Sequence, residues 1–494
     1  MAAIHLHICK ECCTFAHKYQ AMDFVGRKEE LNQIDRLINS SKSELCAVLG
    51  RRRIGKTFFI EYAIKSHLFF KFTGKYEAPV SIQLERFSAE IKTQLNLGYL
   101  PILESWFDAF NLLKNELNSS RKRKKKVIFL DEFPWMSTKN SYFIAAFADF
   151  WAWAVMQKDI LVIICGSAGS WMIKNIFKNR GSLYNRVTSR MELSPFTLEE
   201  VAQFLKAKQI NYNTDAIIKL YMIMGGIPFY LDQLDVSESL DQAIDRLFFR
   251  KKAILNLEFD ELFVSLFGSS HTYEHIVKIL SEHTYGLDRN TISKLSKISS
   301  GGTLSNNIDE LEAAGFITHY VPYGKSKRDI IYKLTDPYVL FYLKYVQKTE
   351  VRTKNVWHYL TNTPSWYAWS GLAFENLCML HIPEIKQQLG ITGVFSTESV
   401  WRHKGDDTMS GAQIDLLIDR SDKIINICEI KYAPENYVLD KDYYTKLQNK
   451  ITSFKHFTKT RKGILVTFIT PSGLFENKYS IEHMRNQVVM GKIL

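Results

Sequence analysis

The 494-residue sequence has few cysteines, no long hydrophobic run and no continuous apolar opening segment. Its seven cysteines are an odd number, and Cys46, Cys165, Cys378 and Cys428 lie inside apolar runs. A disulfide framework is thereby excluded, and the usage is that of a reducing compartment. No stretch reaches the ~18 uninterrupted apolar residues that a membrane span needs. The first residues carry His5, His7, Lys10 and Glu11 where a signal peptide needs an apolar region. A soluble, cytoplasmic protein with no membrane partner is the expectation. With 46% hydrophobic and 23% charged residues, disordered and fibrous classes are excluded. The 64 basic and 52 acidic residues leave a net charge of +12, which permits a polyanionic partner without demanding one.

At roughly 100 to 200 residues per domain, this length suggests two to four domains. Residues 1–20 follow neither the helical nor the strand period and read as a tail. His5, His7, Cys9, Cys12 and Cys13 lack a second half with metal-ligand spacing. Over residues 21–240 short apolar runs alternate with helical patterns, as in a parallel sheet flanked by helices. Strands are expected at 45–49, 68–72, 127–130 and 161–165, and helices at 56–66, 82–95, 107–117 and 143–156. Residues 241–349 switch to helices at 275–281, 291–298 and 304–314. A strand at 316–321, a Gly-Lys-Ser-Lys-Arg turn at 324–328 and a strand at 330–334 follow. Three helices and a hairpin read as a winged helix-turn-helix. Residues 350–494 read as a small, separate α/β module, with a helix at 366–380, strands at 413–418 and 423–432, a helix at 443–457 and a strand at 463–468. There is no repeat at a fixed period.

Gly50-Arg51-Arg52-Arg53-Ile54-Gly55-Lys56-Thr57 fits GxxxxGK[ST], with an apolar strand before it and a helical segment after it. In such a loop backbone N–H groups cradle phosphates, Lys56 reaches the β/γ oxygens, and the Thr57 hydroxyl joins a Mg²⁺ shell. Asp131 and Glu132 follow the apolar run Val-Ile-Phe-Leu, at a strand's C-terminal end, where ligands bind in open α/β sheets. Asp131 is assigned to the metal and Glu132 to activating the attacking water. Ser167, ending the next apolar strand, is the candidate sensor of the γ-phosphate. Arg186 either reaches a phosphate, in its own chain or across a homo-oligomer, or makes a surface salt bridge.

Together with Phe24-Val25-Gly26-Arg27 and Gly225-Gly226-Ile227-Pro228-Phe229, these motifs resemble the archaeal-type ATPases of the AAA+/STAND side of the P-loop superfamily, over residues 24 to 230. The resemblance implies an α/β, P-loop NTPase parallel sheet with a helical lid, and ATP and Mg²⁺ as cofactors. It places Gly26 and Arg27 against the adenine, and Pro228 on the nucleotide from the lid. The three loop arginines depart from the pattern; they either meet a partner's charge or solvate the turn. The basic run at 121–126 either touches nucleic-acid phosphates or is a solvated loop.

In the winged-helix region the third helix offers Asn306 and Asn307 but also Asp309, Glu310 and Glu312, while Lys325, Lys327 and Arg328 lie in the turn. The module serves either as an interdomain lid or in contacting DNA. In the last module, period two puts Glu429 and Lys431 on one strand face, with Asp415 on the neighbouring strand. Two carboxylates that hold Mg²⁺ beside a lysine are what metal-dependent phosphodiester cleavage needs. Asp415, Glu429 and Lys431 resemble the D…ExK pattern of the PD-(D/E)xK nucleases, and Glu375 stands where that superfamily has an auxiliary acid. The resemblance implies a restriction-endonuclease-like fold with DNA as partner. Gln413 replaces the Glu that many relatives carry before Ile-Asp, so either a DNA-cleaving module or a retained fold without catalysis is expected.

Overall fold

The computed structural model describes residues 24–120, 124–166, 169–178, 183, 185–268, 271–349, 356–406 and 409–494. The N-terminal His/Cys tail and Ser167 lie outside them. The chain divides into two compact units between Ser194 and Pro195.

The first unit begins with helix α1 (Lys28–Ile38). It continues with β1 (Glu44–Gly50), α2 (Lys56–Ile64), β2 (Leu68–Thr73), α3 (Val80–Leu95), α4 (Trp106–Ser119), β3 (Lys126–Asp131), α5 (Phe143–Ala154), β4 (Ile160–Cys165) and β5 (Ser189–Leu193). The strands form one parallel sheet in the order β2-β3-β4-β1-β5. Burial on both faces is what makes β1, β3 and β4 continuous apolar runs. Successive residues alternate between two cores. Leu45, Ala47, Leu49, Ile128 and Leu130 join the aromatic cluster under α3, α4 and α5. Cys46, Val48, Val127 and Phe129 pack with Ile34, Phe59 and Ile60 from α1 and α2. Helix α4 starts at a reciprocal capping box, Ser105 with Asp108, which satisfies backbone donors that the first turn leaves open.

In the second unit come α6 (Leu198–Ala207), α7 (Thr214–Met224), α8 (Ile254–Phe267), α9 (His271–Ser281), β6 (Leu287–Asp288), α10 (Arg289–Ser296), α11 (Gly302–Ala313), β7 (Ile317–Tyr320) and β8 (Ile331–Leu334). The last three strands make an antiparallel sheet in the order β6-β8-β7. The unit ends with α12 (Pro337–Phe341), α13 (Pro364–Leu380), β9 (Ser396–Gly405), β10 (Ser410–Arg420), β11 (Ile424–Ile430), α14 (Lys441–Thr458), β12 (Gly463–Thr470) and β13 (Gln487–Val489). These five strands form a mixed sheet, β13-β12-β11-β10-β9, antiparallel across β9, β10 and β11 and parallel beyond. Strand β10 carries an irregularity in register between Ile414 and Leu417, at the position of Asp415. The loop after β7 is tied to this sheet, because Tyr323 N–H donates to Val400 O at 2.8 Å and its ring packs on Phe454. Helix α7 packs against α12 and α13 within the unit.

β5 and β9 have no counterpart among the expected strands. Both are edge strands rich in polar residues, Ser-Arg-Met-Glu-Leu and Ser-Thr-Glu-Ser-Val-Trp-Arg-His-Lys-Gly, so neither shows a clean apolar signal.

Candidate functional site

The loop after β1 turns on two glycines, one without room for a side chain and one in the left-handed region. Gly50 has φ 149°, and a Cβ there would sit 2.7 Å from Leu193 O. Gly55, at φ 83°, caps α2 without a side-chain hydrogen bond, which leaves the first-turn N–H groups directed into the loop. Lys56 is buried, and its Nζ donates to Gly50 O and Arg51 O, both at 2.9 Å. Two of its three N–H bonds thus hold the loop in shape, and one remains for a ligand. Ile54 is buried beneath the turn. Of the three loop arginines, Arg51 is 5% exposed, so solvation of the turn does not describe it; Arg52 and Arg53 are half-buried.

Thr57 Oγ1 donates to Asp131 Oδ2 at 2.9 Å. The other carboxylate oxygen accepts from Glu132 N–H at 3.0 Å and from Cys165 Sγ at 2.9 Å. Burial, followed by the charge of Asp131, pushes the Cys165 thiol well up, so it remains a protonated donor. Glu132 takes φ 48° and starts the short helix Phe133–Met136, which turns the chain sharply at the strand end. A Cβ on Gly166 would lie 2.5 Å from the Pro134 ring and 4.0 Å from Glu132 Oε2. The end of β4 is therefore held against this turn. A hydroxyl and a carboxylate placed together at one end of the loop are a donor set that suits Mg²⁺, a hard cation that keeps several waters and binds through few protein oxygens. Gly26 (φ 74°) and Arg27 (φ 58°) open α1, and the buried Arg27 reaches Glu30 at 3.4 Å.

The second cluster lies in the second unit. Gln413 Nε2 donates to Asp415 Oδ1 at 2.6 Å. Glu429, 2% exposed, has both oxygens engaged: Tyr443 Oη donates to Oε2 at 2.7 Å, and Lys450 Nζ bonds Oε1. Lys431, just beyond the end of β11, stands 4.0 Å from Glu429 Oε2 and 4.5 Å from the centre of the Tyr443 ring. Burial first, then the Asp415 charge, pushes the Glu375 carboxyl up to about 7, against the pull of Lys333 and Lys431. Lys333, from β8, is lowered by burial and held up in part by Glu375 and Asp415. Among the described residues no three His, Cys, Asp or Glu side chains converge closely enough to hold a metal ion. The expected grouping of Glu375, Asp415, Glu429 and Lys431 is thus an interacting set, in which Tyr443 and Lys450 already engage both oxygens of Glu429.

Residues 24–234 match a family described as an ATPase domain predominantly from Archaea. This segment is similar to that domain over its whole parallel sheet. Over 420 residues the chain is 24% identical to an uncharacterized protein of Methanocaldococcus jannaschii, covering 83% of this chain and 87% of that one. An uncharacterized ATP-binding protein of the same organism is 46% identical over 43 residues, 9% of this chain and 73% of the relative. Among solved structures, the Walker-type ATPase of Pyrococcus abyssi superposes with a TM-score of 0.49 at 16% identity, over 65% of this chain and 96% of the other.

Within the matched segment, Arg186 is exposed and donates from Nη1 to Ala148 O at 3.2 Å, a backbone contact on α5. Pro228 opens the short helix Pro228–Asp232, in the second unit. The basic run is corrected in two places. Lys125 donates to Leu37, Ser40 and Lys42 carbonyls, at 2.7 to 3.0 Å, around the end of α1. Lys126 is buried on Leu117 O, with Asp159 at 3.1 Å. Neither ammonium is offered to a nucleic-acid backbone, because open carbonyls at the ends of α1 and α4 take them. Asn307 is likewise buried, whereas Asn306 is exposed. Cys165, Lys333, Tyr443 and Lys450 are the site residues that sequence reasoning missed. Lys450 had a signal: Tyr443, Leu447, Lys450 and Phe454 follow the i, i+4, i+7, i+11 stripe of a core-facing helix, where a lysine is out of place.

Proposed function

We propose that the protein is an ATP-hydrolysing switch whose ATPase domain controls a DNA-acting second unit. The observation that carries the reading is the Thr57–Asp131 hydrogen bond, which joins the end of the phosphate-binding motif to the acidic strand end. Backbone N–H groups of residues 51–56 and the remaining N–H of Lys56 bind the β- and γ-phosphates. Thr57 and Asp131 hold Mg²⁺, which when bound neutralises phosphate charge and orients the γ-phosphate. Glu132 accepts the proton of the attacking water. Ser167 senses the γ-phosphate, and Arg186 serves the same nucleotide or, in a homo-oligomer, a neighbour's. Gly26 and Arg27 lie on the adenine side, and Pro228 belongs to the lid of an ATPase domain extending over residues 21–240.

For residues 241–349 the reading is a winged helix-turn-helix, supported by α9, α10 and α11 followed by the β6-β8-β7 sheet, with Lys325, Lys327 and Arg328 exposed. For residues 350–494 it is a restriction-endonuclease-like fold, supported by the D…ExK residues on β10 and at the end of β11. A non-catalytic, ATP-dependent regulator is the second reading, favoured by the Lys450 and Tyr443 bonds that occupy Glu429.

ATP turnover with Mg²⁺ tests the switch. Wild type is expected to turn over and Lys56→Ala to fall to background; equal rates in the two, or none in either, reject it. DNA incubated with protein, ATP and Mg²⁺ or Mn²⁺ separates the two effector readings, with Asp415→Ala as the control for contaminating nuclease.

A further inference from the structure

We infer that Lys450 is the resident cation of the carboxylate cluster: its ammonium takes the place on Glu429 that a divalent metal would need, and keeps Mg²⁺ and Mn²⁺ out. The inference deepens the non-catalytic reading of the second unit and does not depend on the ATP site.

Helix α14 delivers two polar groups to one carboxylate. Tyr443 and Lys450 are seven residues apart, two helical turns, and so share a face. Leu447, between them on that face, is buried beside Phe468, which fixes the helix against the sheet. Asp440 caps the helix by accepting from Tyr443 N–H at 2.7 Å, so the first turn, and with it the Tyr443 hydroxyl, is held in place. Glu429 is left with neither oxygen open: one takes the Tyr443 proton, the other the Lys450 ammonium.

Charge balance points the same way. Glu375, Asp415 and Glu429 bring three carboxyls, and Lys333, Lys431 and Lys450 bring three ammonium groups. A divalent ion entering this set would add two charges beside lysines already in place. It would also have to strip Glu429 of a buried, charge-assisted bond, and buried charges persist only when paired. Removing the Lys450 ammonium while keeping length and polarity instead leaves Glu429 Oε1 without its cation, with the Asp415 and Glu375 charges nearby, and Mn²⁺ or Mg²⁺ can bind through one or two carboxylates and several waters.

Free Mn²⁺ measured by electron paramagnetic resonance in titrations of the full chain without nucleotide tests this. Wild type and Glu429→Gln are expected to bind the same amount of Mn²⁺, so any ion held at Asp131 cancels between them. Lys450→Gln should gain about one Mn²⁺ per chain, Lys450→Arg should gain none, and the Lys450→Gln, Glu429→Gln double variant should lose the gain. Loss of bound Mn²⁺ in Glu429→Gln relative to wild type overturns the inference, as does no gain in a Lys450→Gln protein that melts cooperatively. If Lys450→Gln does not fold, the comparison of wild type with Glu429→Gln decides alone. Failure here leaves ATP turnover unaffected, so the two proposals fail separately.

Discussion

The Cys165 thiol donates to Asp131 Oδ1 at 2.9 Å while the Thr57 hydroxyl donates to Oδ2 of the same carboxylate at the same distance. Asp131 is thus aimed from both sides. Thr57 links it to the phosphate loop, and Cys165 links it to the neighbouring strand β4. Groups that orient a metal-binding carboxylate typically contribute about 10- to 100-fold to metal affinity or activity. Cys165→Ala is expected to raise the Mg²⁺ concentration for half-maximal ATP turnover by about 10-fold, and Cys165→Ser, which keeps a donor, to restore most of it. Mg²⁺ titrations of turnover check this; identical curves for Ala and wild type reject a positioning role.

Lys56 and Glu132 should separate binding from chemistry. Lys56→Ala removes the ammonium that both shapes the loop and meets phosphate, so it should abolish the rise in melting temperature that Mg-ATP produces. Glu132→Gln is expected to keep that rise and lose turnover by at least ~100-fold, the lower end of the range for general-base removal. Thermal melts with and without Mg-ATP, beside phosphate release, give both readouts.

His381 should make the second unit acid-sensitive. Its Nε2 accepts from Leu198 N–H at 2.9 Å, which requires a lone pair there, and its Nδ1 lies 2.8 Å from Leu377 O. The ring is therefore neutral with the proton on Nδ1. Burial lowers its pKa from the usual 6.5. The unfolded chain takes up a proton as pH falls through ~6.5, before the folded one does, so this contribution to stability is present above ~6.5 and diminishes below it. Urea midpoints are expected to fall between pH 7.5 and pH 5.5 in wild type, and to fall less in His381→Asn.

Gly226 should be intolerant of any side chain. A Cβ would stand 1.9 Å from Phe196 O, and Phe196 N–H donates to Gly226 O at 2.7 Å. The two backbones cannot separate without losing that bond. Gly226→Ala is expected to destabilise the second unit by about 2–4 kcal/mol, the scale of a severe backbone clash. Denaturant unfolding measures it.

DNA affinity, if the winged-helix reading holds, should respond to the turn and not to the basic run. Removing Lys325, Lys327 and Arg328 together is expected to weaken binding and flatten its dependence on salt by roughly one unit of slope per lost phosphate contact. Lys125→Ala should leave affinity unchanged and lower the melting temperature of the first unit, because its partners are carbonyls at the end of α1.

The central strands were legible because burial on both faces writes them as unbroken apolar runs, and the phosphate loop because glycine spacing and a following helix leave few alternatives. In the second unit α9, α10, α11, α13, α14 and the β7–β8 hairpin showed equally well through period and turn residues, whereas α6, α7, α8 and α12 have no counterpart among the expected helices. The edge strands β5 and β9 did not show, since polar residues interrupt both and only two residues in each are fully buried. Side-chain partners were least legible. RKRKKK reads as one charged block, yet Lys125 and Lys126 are absorbed by carbonyls distant in sequence. Likewise the D…ExK residues were visible, but the bond from Lys450, 21 residues further along the chain on α14, to Glu429 was not.

The anchoring of Tyr323 on β9 and Phe454 bears on how the following turn could meet anything at all. Only residues 324–330 lie between that fastening and β8, and Ser326 and Asp329 tie them together through backbone and hydroxyl bonds. Lys325, Lys327 and Arg328 consequently sit on a short, stiff finger. A partner touching them would meet a surface whose ordering was completed when the chain folded, and would push directly on the strand that neighbours β10.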